Sequence, residues 1–508
     1  MQESISKLSY LRMNILCGIY ALFYTFCLYK NYSGATFPFF VAGTLCFFVY
    51  YMRSQGLTLK RFSGFIIVSI LALGLNICLT ASPVLAAFDR CFIFVLFFIL
   101  FLDNIYDDTT WDVSRYTAAV ISTVFTSIQY VLDPVRDGIK QLKRKELEQD
   151  TENDGTIGEN GGIRHKIGSG NLKYVLLGLL ISIPILLIVL PLLISSDAVF
   201  SKVIEKIFTF DISEDIFGIT GMIIGMFFVS YALIRRLSVR CGSLETPVKD
   251  RRTKNPVVAI TISTVLLIFY GLYCAIQIVY LFMGYGTLPA GYTYAEYVHE
   301  GFYQLVFVCI INLVLVLLCR KYSQDSMGLK IMLCLISLCT FIMIFSSAYR
   351  MLLYVDAYGL TFLRLYVFWA LIVIGLAMTG TIIYIFVPGM PFCKYCITVL
   401  AAMWILFVYI CPDYQIAKYN LTTQKKCDKW YIIYNLSADA APAVDRYSDD
   451  IELKESFLRS KLSGFRGRYH GWDEETVCEY PRMTLRTFNY SKYMAGEMGV
   501  KYGIASRE

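Results

Sequence analysis

Charged side chains are scarce in this chain. Asp, Glu, Lys and Arg together make up 17% of its 508 residues, where a soluble domain carries about 25%. A globule of this length must still cover a large surface with polar groups, so the deficit excludes a soluble fold. Histidine is rarer still: His165, His299 and His470 are the whole complement. Phosphate-cradling loops of the GxxxxGKS/T or GxGxxG type are missing, as is the GxSxG turn of serine hydrolases. No internal repeat and no nucleic-acid-binding module is visible, so the net charge of +7 does not point to a nucleic-acid partner.

Apolar residues are abundant instead. They reach 57% of the chain, with 16% aromatics and 38 tyrosines, and the mean hydropathy is +0.56. Tyr and Trp favour membrane interfaces. The composition therefore predicts an all-α integral membrane protein whose first partner is the lipid bilayer. Runs of about 20 apolar residues fall at 14–29, 36–52, 63–82, 91–104, 174–195, 216–234, 256–283, 302–319, 329–348, 363–386 and 397–411. That makes eleven spans, give or take one. The fourth is short, with an alternative start near Val84 and with Asp89 and Arg90 at the interface. The first run lacks a small-residue cleavage site behind it and reads as a retained span.

Charge sets the expected orientation. With the N-terminus inside, the inner loops hold 25 Lys and Arg and the outer loops five, Lys30, Arg90, Lys202, Lys206 and Arg350. Without the long 105–173 loop the ratio is still 16 to 5, the sign of the positive-inside rule. Eleven spans then place residues 412–508 outside a cell membrane. Within 117–132, Ala118, Ile121, Phe125, Ile128 and Leu132 recur at helical spacing, which suits a helix lying in the interface. The expected organisation is an N-terminal bundle of about four spans (1–110), an interfacial amphipathic helix (111–145), a disordered polar linker (146–171), a main domain of about seven spans (172–411) and a partly helical extramembrane domain (412–508). The last holds a predicted helix over Asp449–Ser463, ended by Gly464.

Most of the 16 cysteines lie in or beside spans, where Cys serves as a small apolar residue. Cys393 and Cys396 have CxxC spacing but no second ligand pair. Cys427 and Cys478 are the pair in the tail, open to a disulfide on the outer side. Gly218, Gly221 and Gly225 on the sixth span have the spacing of a helix-packing face. Two charged clusters attract more attention. In GYTYAEYVHEGF, Glu296, His299 and Glu300 share one helical face. Such a Glu-x-x-His pair ligates metal in bundles that carry matching pairs, and no second pair occurs here, so no metal or cofactor is expected. In SSAYRMLLYVDAYGLTFLRLY, Arg350, Asp356 and Arg364 are embedded in apolar sequence, where ionisable groups are costly unless paired or facing a polar cavity. Both clusters fall on the outer side. With Tyr294, Tyr297, Tyr354 and Tyr358 they outline either a polar, tyrosine-lined pocket or a structural ion pair within an interfacial tyrosine belt.

Seven blocks in one order resemble the bacterial membrane proteins grouped as domains of unknown function 4153 and 4173. They are PLLISSDAVFSKV (191–203), YCAIQIVYLF (273–282), YTYAEYVHEGFYQL (292–305), SSAYRMLLYVDAYGLTFLRLY (346–366), PDYQIAKYNL (412–421), YNLSADAAPAV (434–444) and LRTFNYSKYMA (485–495). The similarity spans about 190–495 and implies a polytopic membrane protein without assigning an activity, cofactor or catalytic residue. Similar proteins often carry Arg where this chain has His299, which weakens any role that needs a histidine there.

Three functional classes follow. The first is a non-enzymatic envelope sensor or scaffold with an outer pocket for an envelope ligand. The second is a transporter or lipid-handling protein that moves a solute past the charged clusters. The third is a membrane-embedded enzyme using convergent carboxylates. The spans carry almost no internal charge, Gln277 being the clearest polar residue within them, and this favours the first class over transport. Oligomeric state is not encoded in any feature of the sequence.

Overall fold

A computed structural model describes residues 10–108, 111–141, 182, 189, 196, 214–238, 252–279, 294–387, 389–423, 427–462, 478–480 and 483–507. Of residues 214–215, 294–302, 478–480 and 506–507 it describes the backbone alone. The chain is helical: α1 (Tyr10–Leu28), α2 (Thr36–Ser54), α3 (Arg61–Leu79), α4 (Pro83–Ile105) and α5 (Val113–Ser127) are followed by a short α6 (Asp133–Gln141). Then come α7 (Glu214–Ser238), α8 (Pro256–Gln277), α9 (Tyr294–Tyr322), α10 (Met327–Tyr358), α11 (Phe362–Phe386) and α12 (Phe392–Tyr409). The tail holds α13 (Pro412–Thr423), α14 (Lys429–Asn435), α15 (Ala441–Tyr447), α16 (Ile451–Leu462) and α17 (Tyr490–Lys501). One pair of three-residue parallel strands, Cys478–Tyr480 and Ala505–Arg507, completes it.

Among the described residues ten helices are long and apolar enough to cross a membrane, α1–α4 and α7–α12. Each overlaps one of the expected runs; of the remaining run, 174–195, only residues 182 and 189 are described, and the linker 146–171 lies outside the described residues. The fourth span starts at Pro83, not near 91, because Pro at the first helical position is pre-set for the helix and lacks only an amide that has no partner there. Asp89 is consequently not at an interface. It is fully buried two turns inside α4, accepting from Asn76 Nδ2 at 2.7 Å and from Trp404 Nε1 at 2.8 Å.

Residues Val113–Tyr130 and Asp133–Gln141 pass the test for a span only when taken together across a 47° bend. Ala118, Ile121, Phe125, Ile128 and Leu132 are all exposed, while Tyr116, Ala119 and Thr123 on the opposite face are buried. The apolar stripe therefore points away from the protein, as a lipid-facing stripe does.

Two compact units divide the chain, one of residues 1–30 and 123–240, the other of 31–122 and 241–508. In the first, α1 packs on α7 around Met13, Cys17 and Tyr231, and the Tyr231 hydroxyl donates to Asp137 at 3.0 Å. Of the glycines on α7, Gly218 sits against the Tyr29 ring, while among the described residues a Cβ at Gly221 or Gly225 would meet nothing within 4 Å.

In the second unit α3 is the innermost span, with half of its apolar window buried, and α8 lies at the rim with 17%. Helix α3 packs on α2, α4 and α12; α11 packs on α12 and α10; α8 and α9 pack on α10. Turns 31–36, 79–83 and 358–362 and the tail lie at one end of this unit, joined by bonds such as Asn31 Nδ2 to the Arg486 carbonyl at 2.6 Å. The span-end residues Lys60, Arg320, Lys321 and Lys394 lie toward the other end. There Lys394 Nζ reaches Asp103 at 2.6 Å and Asp108 at 2.8 Å, and Lys321 pairs with Asp112.

A cavity between the span ends and the tail

The tail does not hang free from the bundle. One hydrophobic cluster runs from the ends of α9–α11 into it, joining Val355 and Leu360 to Ile416, Leu436, Phe457 and Ala495. Polar bonds fasten the turns beneath it. Asn420 both receives the Leu360 amide, at 2.7 Å, and donates to the Leu360 carbonyl, at 2.8 Å. The next turn residue, Thr361, caps α11, and the Phe362 amide donates to the Tyr431 hydroxyl at 2.9 Å. Across the unit, Asp439 accepts from the Ala81 amide and the Thr80 hydroxyl, and Asn489 Nδ2 reaches the Ser33 and Thr80 carbonyls at 3.1 and 2.9 Å.

These fastenings enclose a cavity of about 680 Å³. Its floor is the first turn of α4, Ser82–Val84, and the first turn of α11, Thr361–Leu363; its roof is Asp413, Tyr431, Tyr434, Asn435–Ala438, Lys461, Lys492 and Ala495. The volume is within the range of about 300–1,000 Å³ found for ligand pockets. The floor is largely apolar and the roof polar. Val84 and Leu363 are about half exposed at its lip.

Burial pushes the Asp413 carboxyl above the ordinary carboxylate range, against the Ser437 amide that donates to it at 2.9 Å. Burial likewise holds the Lys461 ammonium below the usual lysine value, with Asp413 opposing that shift, and Lys461 Nζ donates to the Ile433 carbonyl at 2.7 Å. The Tyr431 phenol is raised by burial. The cavity thus has fixed donors, two ammonium groups and one carboxylate that is itself hydrogen-bonded. Among the described residues no three His, Cys, Asp or Glu side chains converge as a metal site would require.

None of the residues singled out from the sequence lines this cavity. Arg364 stacks its guanidinium on Tyr354, 4.1 Å from the ring centroid, and donates to the Tyr358 and Gly359 carbonyls, closing the end of α10. Tyr354 and Tyr358 lie 5.2 Å apart. Asp356 is exposed. Arg350 is buried deeper on α10, where it donates to Gln277 Oε1 at 3.1 Å beside Ser346 at 2.6 Å. Helix α9 carries the backbone of Tyr294, Tyr297, Glu296, His299 and Glu300, and their side chains lie outside the described residues. The same holds for the Cys478 side chain, so its pairing with half-buried Cys427 is outside them too. Cys393 is buried at the start of α12 with Cys396 one turn on, at the opposite end from the cavity.

Sequence reasoning missed Asp413, Tyr431, Lys461 and Lys492, because single polar residues in a polar tail carry no periodic or spacing signal. One signal did exist. The blocks 346–366, 412–421, 434–444 and 485–495 supply eleven of the seventeen lining residues.

The sequence model of DUF4153, a domain of unknown function, matches residues 67–447. The chain belongs to that family. The match begins well upstream of the 190 at which the resemblance was first visible, taking in α4 and most of α3, and it ends before the 485–495 block. Within it lie every floor residue of the cavity and the roof residues Asp413 and Tyr431–Ala438. No curated protein and no solved structure matches the chain.

Proposed function

We propose that this DUF4153 protein is a non-catalytic ligand sensor of the cell membrane, with the cavity under the tail as its binding site and the tail as the element that responds to occupancy. The observation that carries this reading is the construction of the cavity. Its floor is the ends of membrane spans and its roof is the extramembrane tail, so an occupant contacts both at once. A ligand that binds the docked tail better than the loosened one shifts that equilibrium by its differential affinity. A sensing role is favoured over catalysis because the carboxylate of the roof, Asp413, is committed to a structural bond with the Ser437 amide.

The orientation goes with the reading. Of the loop residues between spans, Lys60, Arg320, Lys321 and Lys394 lie at the end away from the tail, which under the positive-inside rule is the cytoplasmic end. The N-terminus is then cytoplasmic, and the cavity with its tail faces outward. An impermeant maleimide applied to intact cells would label exposed Cys411 at the root of the tail; labelling only after permeabilisation would reverse the orientation.

The binding role is tested by what the purified protein carries. Ala81 lines the cavity beside the floor while its amide holds Asp439, so Ala81→Trp places bulk at the cavity wall and keeps the amide donor. Solvent extracts of wild type should contain a small molecule near one per chain that the variant lacks. Identical extracts from two equally folded proteins would overturn the binding role.

A further inference from the structure

We infer that the cavity takes the phosphate-bearing headgroup of an amphiphile, with Lys461 and Lys492 as its cationic contacts and the apolar floor as the seat of the upper hydrocarbon chain. The inference deepens the ligand-sensing role proposed above and rests on it.

Charge is the first ground. Lys461, Lys492 and Asp413 are the titratable lining residues besides the two tyrosines, so the lining is cationic. Two span helices also begin there. Helix geometry leaves first-turn amides without intrahelical acceptors and gives that end a partial positive charge, and Val84 and Leu363 belong to those first turns. The hydroxyls of Ser82, Tyr431 and Ser437 add donors suited to phosphate oxygens. Lys461 is a cation that burial makes uncomfortable and that one hydrogen-bonded carboxylate compensates in part. A second anion at the same place would relieve it.

Shape and placement are the second ground. A soluble anion needs no apolar floor, yet Pro83, Val84, Phe362 and Leu363 provide one. Half-exposed Val84 and Leu363 stand at span ends, where headgroup meets hydrocarbon. A molecule with a phosphate at one end and a chain at the other matches the polar roof and the apolar lip together.

The test uses the full chain, delipidated in a neutral maltoside detergent, and three probes measured by titration calorimetry: dioleoylphosphatidylglycerol, dioleoylglycerol and glycerol 1-phosphate. The expected result is saturable binding of the phospholipid alone, weakened roughly tenfold or more by Lys492→Gln, the size of one charge-assisted hydrogen bond. Lys461→Gln should weaken it too. Because Lys461 also holds the Ile433 carbonyl, Lys492→Gln is read against Lys492→Arg, which keeps the cation and should bind like wild type, with both variants measured at equal melting temperature without lipid. Equal binding of dioleoylglycerol would overturn the anionic headgroup while leaving the cavity as a ligand site. Glycerol 1-phosphate binding as tightly as the lipid would overturn the amphiphile in favour of a soluble phosphate. Binding of the phospholipid unchanged by Lys492→Gln would remove the cavity lysines from recognition. If no probe binds and the solvent extracts are also alike, the sensing role falls as well; if no probe binds but the extracts differ, only this ligand class falls.

Discussion

Asp439 and Ala81 stand 358 positions apart in the chain, and the carboxylate of the first accepts the amide N–H of the second at 2.6 Å. The Thr80 hydroxyl donates to the same carboxylate. One side chain thereby satisfies the turn between two membrane spans and fixes the tail above it. Asp439→Ala would leave the Ala81 amide and the Thr80 O–H without their acceptor at a cost of about 1.5–3 kcal/mol, while Asp439→Asn keeps an acceptor and should cost less. Protease cleavage within 412–508 of the purified chain should accelerate in that order, and equal rates for both variants would mean that the bond does not hold the tail.

Gly34 gives a second handle on the same docking. A Cβ at this position would collide with the Arg486 carbonyl and with the Asn31 side chain, and a backbone oxygen cannot swing aside as a flexible side chain can. Gly34→Ala should therefore destabilise by about 1–3 kcal/mol. Hydrogen exchange should rise in 483–489 and stay unchanged in α10, away from the collision.

At the opposite end Lys394 bridges two fully enclosed carboxylates, Asp103 and Asp108, with Lys60 3.9 Å from the latter. Removing one member of a buried ion pair costs about 3–5 kcal/mol because the partner is left uncompensated. Lys394→Met should approach that loss in a thermal melt. Lys394→Met with Asp103→Asn should recover part of it, and strictly additive losses would show that the three groups do not act as a unit.

The Asp413 carboxyl is raised by burial, which fixes the sign of its pH dependence. The folded tail holds this proton more tightly than an unfolded one, whose carboxyl titrates at about 3.9. The contribution is thus fully present below about pH 3.9 and declines as pH rises through the raised folded value. Asp413→Asn keeps an acceptor for the Ser437 amide and removes the proton. Hydrogen exchange in α13 should lose that acid-side dependence in the variant; an unchanged profile would assign the dependence to another group.

Gln277 was visible in the sequence as a polar residue in an apolar run, but not its neighbours. Its Oε1 accepts from both Ser346 and Arg350. Gln277→Leu leaves a buried guanidinium short of an acceptor, and the folded yield should fall. Arg350→Met in the same chain should restore part of it, and no restoration would argue that Arg350 relies on other contacts.

Span positions were legible because the bilayer imposes a length and a composition on any helix that crosses it. Ten of the eleven expected runs each overlap a described helix, and the blocks read from the sequence as a family resemblance hold eleven of the seventeen residues that line the cavity. The fourth span was read short because Asp89 and Arg90 interrupt its apolar run. Local hydropathy charges an aspartate in full, whereas Asn76 and Trp404, thirteen and 315 residues away, supply the donors that make it tolerable. The glycine spacing on α7 likewise says that a close approach is allowed, not which glycine a neighbour will meet.

Sequence by itself determined that this is a polytopic helical membrane protein, where most of its spans run, and to which family it belongs. Each of these follows from local composition or from order along the chain. Only the tertiary structure decided that the tail packs on the span ends and encloses a cavity with Lys461 and Lys492 over an apolar floor. That outcome depends on contacts such as Asp439 to Ala81 and Asn489 to Thr80, between residues hundreds of positions apart, and no periodicity records which distant donor will meet which acceptor.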